Sequence, residues 1–487
     1  MVSSGRQHTP DSPGVGALPP LCVDLDGTLV RTDTLVESAL DMLTAAPWRL
    51  FPMLARLRAG RAPLKAYLAA HGPIDPAALP YPARFLEYLK AQRAAGRRLV
   101  LVTAAPRATA ERVASHLGLF DEVLASDDTR NLKGPAKRDR LVERFGRGGF
   151  DYAGDARADV PVWAACREAV LVNPGPGVEA ATRRVARVSQ VFADRPGGPG
   201  PYLKAMRLHH WLKNLLVFVP LIAAHRIGDL VAWGTLLTAW LAFGLTASSV
   251  YLLNDLLDLR ADRAHPVKRN RPLASGNLSV VHAALMVPAL LGAALLVAAP
   301  LPPRFLALLG VYYLCTLAYS LRLKRVMVVD VLLLAWVYVL RVLAGTAAVK
   351  ISLSFWLFAF AMFIFLSLAM VKRHAELCRF KLAGAPVPAG RGYRTDDLGV
   401  LSTLGTAAGY LAVLVLALYL NSPDVRALYH RPEWLWALCP LVIYWVSRLW
   451  LLAGRGDLED DPLLFTLTDR ASYLAGAIGA LVILYAT

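Results

Sequence analysis

Acidic residues are in short supply along this 487-residue chain: 36 Asp and Glu stand against 53 Lys and Arg, and charged residues are only 18% of the total. With a hydrophobic fraction of 56%, so thin a charged complement excludes an ordinary soluble protein of two or three domains. Cysteine is scarce as well. Cys22, Cys166, Cys315, Cys378 and Cys439 lie far apart without metal-ligand spacing, which excludes a disulfide scaffold and a thiolate metal cluster. The N-terminal stretch MVSSGRQHTPDSPGVGALPP has no apolar core of signal-peptide type. Its Gly, Pro and Ser content reads as a disordered leader, 1–19, and the domain behind it is expected to stay in the cytoplasm.

The apolar residues are unevenly spread. Up to about residue 200 the chain has the alternating pattern of a soluble α/β protein; beyond Trp211 it contains apolar runs of about 17–22 residues, long enough to span a bilayer. These runs fall near 211–224, 232–253, 279–300, 305–321, 327–349, 353–371, 400–420, 434–452 and 470–486, about nine helices in all. The even-numbered connections between them carry 17 basic residues and the odd-numbered ones only five, Arg226, Arg304, Lys350, Arg426 and Arg431. That asymmetry puts the even loops and the soluble domain on the cytoplasmic side of a cell (inner) membrane, with the C-terminus outside. The net charge of +17 is thereby read as cytoplasmic loops near anionic lipid, with no nucleic-acid partner expected.

In the soluble part, strand-like runs at 21–25, 98–103, 120–125, 150–153 and 169–172 alternate with helical patterns, including an amphipathic stretch at 82–95. The alternation implies a doubly wound parallel sheet. The expected organisation is thus an N-terminal α/β doubly wound domain, 20–193, a linker DRPGGPGP, 194–201, and an all-α polytopic membrane domain, 202–487.

Two carboxylates stand two residues apart in Val23-Asp24-Leu25-Asp26-Gly27-Thr28, at the end of the first strand, where both can face the crevice at the carboxyl edge of the sheet. Thr103 follows the strand LVLVT, a basic run Asn131-Leu132-Lys133-Gly134-Pro135-Ala136-Lys137 comes next, and Gly154-Asp155-Ala156-Arg157-Ala158-Asp159 completes the set. In order and spacing these pieces resemble the haloacid dehalogenase-like (HAD) superfamily over about residues 20–190. The resemblance implies a phosphatase in which Asp24 attacks a phosphate monoester and Asp26 serves as acid and base. It implies that Asp24, the Asp26 backbone carbonyl and Asp155, supported by Asp159, hold Mg²⁺, and that Thr103 and Lys137, or else Lys133, contact the phosphate. The other reading is a phosphatase fold kept as a docking module. Asp127 and Asp128 read as turn residues, and His71 and His116 as surface or packing histidines.

In the second module, Asn254, Asp258 and Asp262 recur every four residues and so line one helical face at a membrane boundary, where carboxylates are costly without a counter-ion. Hard oxygen ligands suit Mg²⁺ on a diphosphate, and Lys268, Arg269 and Arg271 follow to hold phosphate oxygens. The whole pattern, from Asn254 to Gly276, resembles the first aspartate-rich motif of the UbiA superfamily of intramembrane transferases, as do Tyr319, Lys324, Arg325 and Asp330. Members that use a prenyl diphosphate usually carry a second motif, DxxxD, after the sixth helix. Here that loop is basic, with Lys372, Arg373, Glu376, Tyr393 and Arg394. The combination resembles the branch of the superfamily that takes phosphoribosyl pyrophosphate as donor and a polyprenyl phosphate, such as decaprenyl phosphate, as acceptor. Under that resemblance Asn254, Asp258 and Asp262 bind the Mg²⁺-diphosphate. Lys204, Arg207, Lys213 and Asn214, with Lys372, Arg373 and Arg394, bind lipid phosphate or ribose 5-phosphate, and Glu376 orients a basic neighbour or a hydroxyl. Lys213 and Lys372 read equally well as interfacial anchors. The phosphatase would then remove the 5-phosphate of the lipid-linked product, for cell-envelope glycan synthesis. The competing functions are an aromatic polyprenyltransferase of quinone synthesis and a non-catalytic lipid-binding scaffold. Lipid length and oligomeric state are left open.

Overall fold

The computed structural model describes residues 18–126, 131–352, 354–384, 392–426, 428–458, 462–466 and 468–487. Most of the expected leader, the expected turn residues Asp127 and Asp128, and Arg391 lie outside the described residues. The chain divides into two compact units, Met1–Ala205 with Leu252–Leu285, and Met206–Tyr251 with Met286–Thr487. The aspartate-rich segment, read from the sequence as part of the membrane domain, therefore groups with the soluble residues.

The first unit is built on a six-stranded parallel sheet of order β3-β2-β1-β4-β5-β6. Its strands are β1 (Leu21–Val23), β2 (Leu99–Pro106), β3 (Glu122–Ser126), β4 (Asp151–Gly154), β5 (Glu168–Val172) and β6 (Arg187–Phe192). Central strands are apolar on both faces because helices cover both. Leu21, Val23, Leu99 and Leu101 point into one core with Phe85 and Leu89, while Cys22, Val100 and Val102 point into the other with Tyr152 and Trp163. Strand β6, RVSQVF, escaped the sequence reading because most of its residues are exposed and it shows little apolar pattern. The order reverses at β1, flanked by β2 and β4, and this opens a crevice at the carboxyl edge. Four helices, Thr34–Ala45, Leu50–Ala59, Arg61–His71 and Ala83–Ala94, fill the connection from β1 to β2.

Among the described residues, seven helices are long and apolar enough to cross a membrane: Leu230–Leu257, Val280–Ala298, Pro303–Leu321, Val329–Val349, Phe355–Leu382, Thr395–Leu420 and Pro432–Arg455. The other two of the nine expected apolar runs are shorter helices, Leu208–Ala223 and Arg470–Ala486. The first of these is interrupted. A 3₁₀ helix, Leu208–Phe218, gives way to Val219–Ala223 at Pro220, whose missing N–H suits a helix start and not an interior.

Candidate functional site

Asp24 leaves β1 beside β4, its amide donating to the Ala153 carbonyl at 3.0 Å. The loop then folds tightly on itself: Leu29 N donates to Asp24 O at 3.1 Å and Val30 N to Leu25 O at 3.0 Å, with Gly27 at φ +82°. Gly27 is required twice over, because a Cβ there would also lie 2.3 Å from Asp155 Oδ2. Within this fold Asp24, Asp155 and Asp159 each direct a carboxylate oxygen to within 4.8 Å of the others. Lys137 Nζ is buried among them, 2.9 Å from Asp24 Oδ1, 3.5 Å from Asp159 Oδ1 and 2.8 Å from the Tyr152 hydroxyl. Lys133, the other lysine of that run, is exposed. Thr28 Oγ1 donates to Asp155 at 3.2 Å, and Asp26 Oδ1 accepts from Thr34 N at 2.7 Å. Thr103 is fully buried in β2, and its Oγ1 accepts from Ala105 N at 2.9 Å, so the hydroxyl shapes the carboxyl end of that strand.

The crowding of carboxylates raises their affinity for protons. Burial pushes Asp155 up to about 8, with Asp24 and Asp159 adding repulsion. Burial also lifts Asp24 to about 6 against the pull of Lys137, and Asp26, buried near Asp33, to about 7. An all-oxygen set of like charges around a cradle that a Cβ would fill fits a hard divalent cation such as Mg²⁺. The folded metal-free site holds its protons more tightly than the unfolded chain, so its contribution to stability falls as pH rises from about 4 towards 8. A cation must displace those protons. Calorimetric titration should therefore show Mg²⁺ binding tightening by on the order of 10- to 100-fold between pH 6 and pH 8, then levelling off. Affinity unchanged over that range would mean that the carboxyls are already ionised without the metal.

The aspartate-rich segment departs from the single helical face expected of it. Asn254 lies in the last turn of the helix Leu230–Leu257, Asp258 is a junction at φ −97° and ψ 11°, and Asp262 belongs to a short helix, Leu259–Ala264. The four-residue register nevertheless survives, since Asp258 N donates to Asn254 O at 2.9 Å and Asp262 N to Asp258 O at 2.8 Å. Arg271 lies 3.2 Å from Asp255 Oδ1 and 2.5 Å from Asp262 Oδ2. This residue, expected to hold phosphate, here neutralises two buried carboxylates that demand a counter-charge. Lys268 is half-buried and Arg269 exposed on the same loop.

In the second unit Arg373 is 2% exposed and fully engaged. Its Nε and Nη2 donate to Asp330 Oδ2 at 2.9 and 2.5 Å, and Nη1 pairs with Glu376. Tyr393, expected at a substrate, donates its hydroxyl to Asp330 Oδ1 at 2.7 Å and accepts from Val328 N at 2.8 Å. Both side chains converge on Asp330, because a carboxylate so deeply buried must gather donors. Lys213 is nearly buried, Lys372 half-buried and Arg394 exposed. Asn214 is buried and accepts from Arg341 Nε at 2.8 Å.

Comparison with known proteins places these features in a family. A model of the UbiA prenyltransferase family matches residues 215–470, and one of haloacid dehalogenase-like hydrolases matches residues 21–163. The chain belongs to the UbiA prenyltransferase family. It carries a HAD-like domain ahead of the UbiA part, and with seven helices of spanning length it is a multi-pass membrane protein. The Uncharacterized protein y4nM of Sinorhizobium fredii is 38% identical over 94% of this chain and 89% of its own length, so it shares both parts. Nodulation protein NoeC of Azorhizobium caulinodans is 36% identical over 58% of this chain and 93% of its own. Decaprenyl-phosphate phosphoribosyltransferase of Mycolicibacterium smegmatis is 35% identical over 58% of this chain and 92% of its own.

Several residues around these sites were not singled out from the sequence. Tyr152 hydrogen-bonds both Lys137 and Asp159, but reads as an ordinary apolar strand residue. Lys65, from the helical insertion, reaches Ala104 O at 2.7 Å and Asn131 Oδ1 at 3.0 Å, a placement that no local spacing reveals. Arg341 did leave a signal, a charge in the middle of an apolar span of the UbiA part. It is buried between Tyr312 and Tyr338, 4.8 and 5.5 Å from their ring centres.

Proposed function

We propose that the chain transfers a 5-phosphoribosyl group from phosphoribosyl pyrophosphate to a polyprenyl phosphate, and that its HAD-like domain then hydrolyses the 5-phosphate of the lipid-linked product. The observation that carries the donor assignment is the fate of Asp330 and Glu376. Both are engaged by Arg373, so among the described residues neither stands ready as a ligand for a second metal cluster. A single acidic motif, Asn254, Asp258 and Asp262, suits a donor with one diphosphate and a monophosphate of its own. The likeness to decaprenyl-phosphate phosphoribosyltransferase supports the same reading.

At the transferase site Asp258 and Asp262, with Asn254, would hold Mg²⁺, which when bound offsets the charge of the departing diphosphate. Lys268 and Arg269 lie on the adjoining loop to engage its oxygens. The C–O bond to diphosphate breaks at the anomeric carbon, and an oxygen of the lipid phosphate forms the new bond. Lys204, Arg207, Lys213, Lys372 and Arg394 are the candidate cations for the lipid phosphate or the ribose 5-phosphate.

At the phosphatase site Asp24, the Asp26 carbonyl, Asp155 and Asp159 would hold Mg²⁺, which when bound screens the carboxylates from the incoming phosphate. Asp24 attacks phosphorus to give an aspartyl-phosphate, while Asp26, protonated near neutral pH, gives its proton to the leaving ribose oxygen. Asp26 then takes a proton from the water that opens the aspartyl-phosphate. Lys137 neutralises the transferring group from its place beside Asp24. Both sites face the cytoplasm in this reading, and a shared chain keeps the phosphatase at high effective concentration over a product confined to the bilayer.

The test is lipid extraction after incubating the full-length protein with Mg²⁺, polyprenyl phosphate and radiolabelled phosphoribosyl pyrophosphate. Wild type should yield lipid-linked ribose, and Asp258→Ala no labelled lipid. Asp24→Asn should accumulate the 5-phosphorylated lipid. Label that enters lipid only when a prenyl diphosphate and an aromatic acceptor are supplied would reverse the donor assignment.

A further inference from the structure

One ion pair inside the first unit joins residues 226 positions apart in sequence: Arg263 donates from Nη1 to Glu37 Oε2 at 3.0 Å and from Nη2 to Glu37 Oε1 at 2.7 Å. The pair is bidentate, and the two side chains are only 7% and 4% exposed. Glu37 lies in the first turn of the helix Thr34–Ala45, immediately after the nucleophile loop, and its Oε1 also accepts from Thr32 Oγ1 at 2.7 Å. Arg263 directly follows Asp262. Its third nitrogen, Nε, donates to Ala274 O at 3.1 Å, three residues beyond Arg271. The guanidinium therefore ties together the two arms of the loop that bring Arg271 onto Asp262.

Neighbouring contacts show a built surface. Arg195 donates to Gly276 O at 2.7 Å, and Gly276, at φ +73°, sits so close to the Arg31 Cβ that a side chain there would lie 2.6 Å from it. Arg260 lies 3.8 Å from Asp41 and 4.0 Å from Asp75. These outer pairs are solvent-exposed and weak; the Glu37 pair is desolvated and geometrically exacting. A guanidinium held out of water needs an anion. With Glu37 neutral, the nearest carboxylates in sequence are Asp262 and Asp258, the groups needed for the metal-diphosphate.

We infer that Glu37, a residue of the phosphatase part, is a positioning residue for the transferase's donor site: it engages Arg263, and so keeps the loop carrying Asp262 and Arg271 set to receive a diphosphate. The inference rests on the donor reading above. It makes the HAD-like domain a structural component of the transferase as well as a second enzyme.

The experiment uses the full-length protein and three readouts. In Glu37→Gln the KM for phosphoribosyl pyrophosphate should rise about 10-fold or more with kcat for transfer within about 2-fold, because donor binding is what the loop supplies. Hydrolysis of p-nitrophenyl phosphate at the soluble site should be unchanged, which reports an intact fold. The charge-swapped double variant, Glu37→Arg with Arg263→Glu, should recover most of the lost donor affinity. An unchanged KM in Glu37→Gln overturns the inference, and so does a parallel loss of both activities, the mark of a merely structural pair. If wild type transfers nothing from phosphoribosyl pyrophosphate, the donor reading fails first. Calorimetric titration of magnesium pyrophosphate, in an Asp155→Asn background that silences the soluble site, then decides the positioning alone. Weaker binding with Glu37→Gln supports it, and equal binding overturns it.

Discussion

Asparagine in place of Asp24 is expected to lower phosphomonoester hydrolysis by about 10⁴-fold or more while leaving the fold in place, because it removes the attacking oxygen's charge and little else. Asp24 Oδ1 accepts from Leu25 N at 2.9 Å, a bond that an amide oxygen can keep. Lys137 loses its nearest anion but stays within 3.5 Å of Asp159 and 2.8 Å of the Tyr152 hydroxyl, so it is not stranded. The measurement is kcat/KM on a soluble phosphomonoester, alongside phosphoribosyl transfer by the same preparation. Transfer should be unaffected. A fall of less than about 10-fold would mean that water attacks the phosphate directly, with Asp24 acting only as a metal ligand. Trapping of phosphate on Asp24 in the wild type separates the two routes independently.

What the sequence revealed of this site, and what it withheld, follows from how each signal is encoded. The carboxylate pair at Asp24 and Asp26 and the later Asp155 and Asp159 were legible, because each pair follows a strand marked by a short apolar run. The topological reversal at β1 then brings those ends together. The choice between Lys133 and Lys137 was not settled by spacing; burial separates them, since only Lys137 reaches Asp24. The spans were legible from length and hydropathy, but the break at Pro220 shortens the first of them. Local sequence could not show that Arg373 and Arg271 would be consumed by Asp330, Asp255 and Asp262. A basic residue in a loop looks the same whether it awaits a phosphate or answers a carboxylate elsewhere. The Glu37–Arg263 pair was equally silent, because its partners come from opposite ends of a 226-residue interval.

The largest effect on stability should come from Asp330. It is fully buried, and its carboxylate accepts from Arg373 Nε and Nη2 and from the Tyr393 hydroxyl at 2.7 Å. Alanine there leaves Arg373, 2% exposed, without Asp330 and still paired with Glu376, and the expected cost is about 3–5 kcal/mol. Asparagine should cost less, since its amide oxygen still accepts from Tyr393. The decisive comparison is the double variant Asp330→Ala with Arg373→Met, in which cation and anion leave together. Removing both ends of a buried pair avoids the stranded charge, so the double variant should regain most of what the single one loses in thermal unfolding of the detergent-solubilised protein. A double variant as unstable as Asp330→Ala would mean that the cost is lost packing and the Tyr393 bond, not an unpaired cation. Recovery would have a second consequence. Without Arg373, Glu376 loses that partner, and the basic character of that connection rests on Lys372, Arg379, Lys381, Arg391 and Arg394. A rise in KM for one phosphate-bearing substrate alone would then assign that substrate to this side of the transferase.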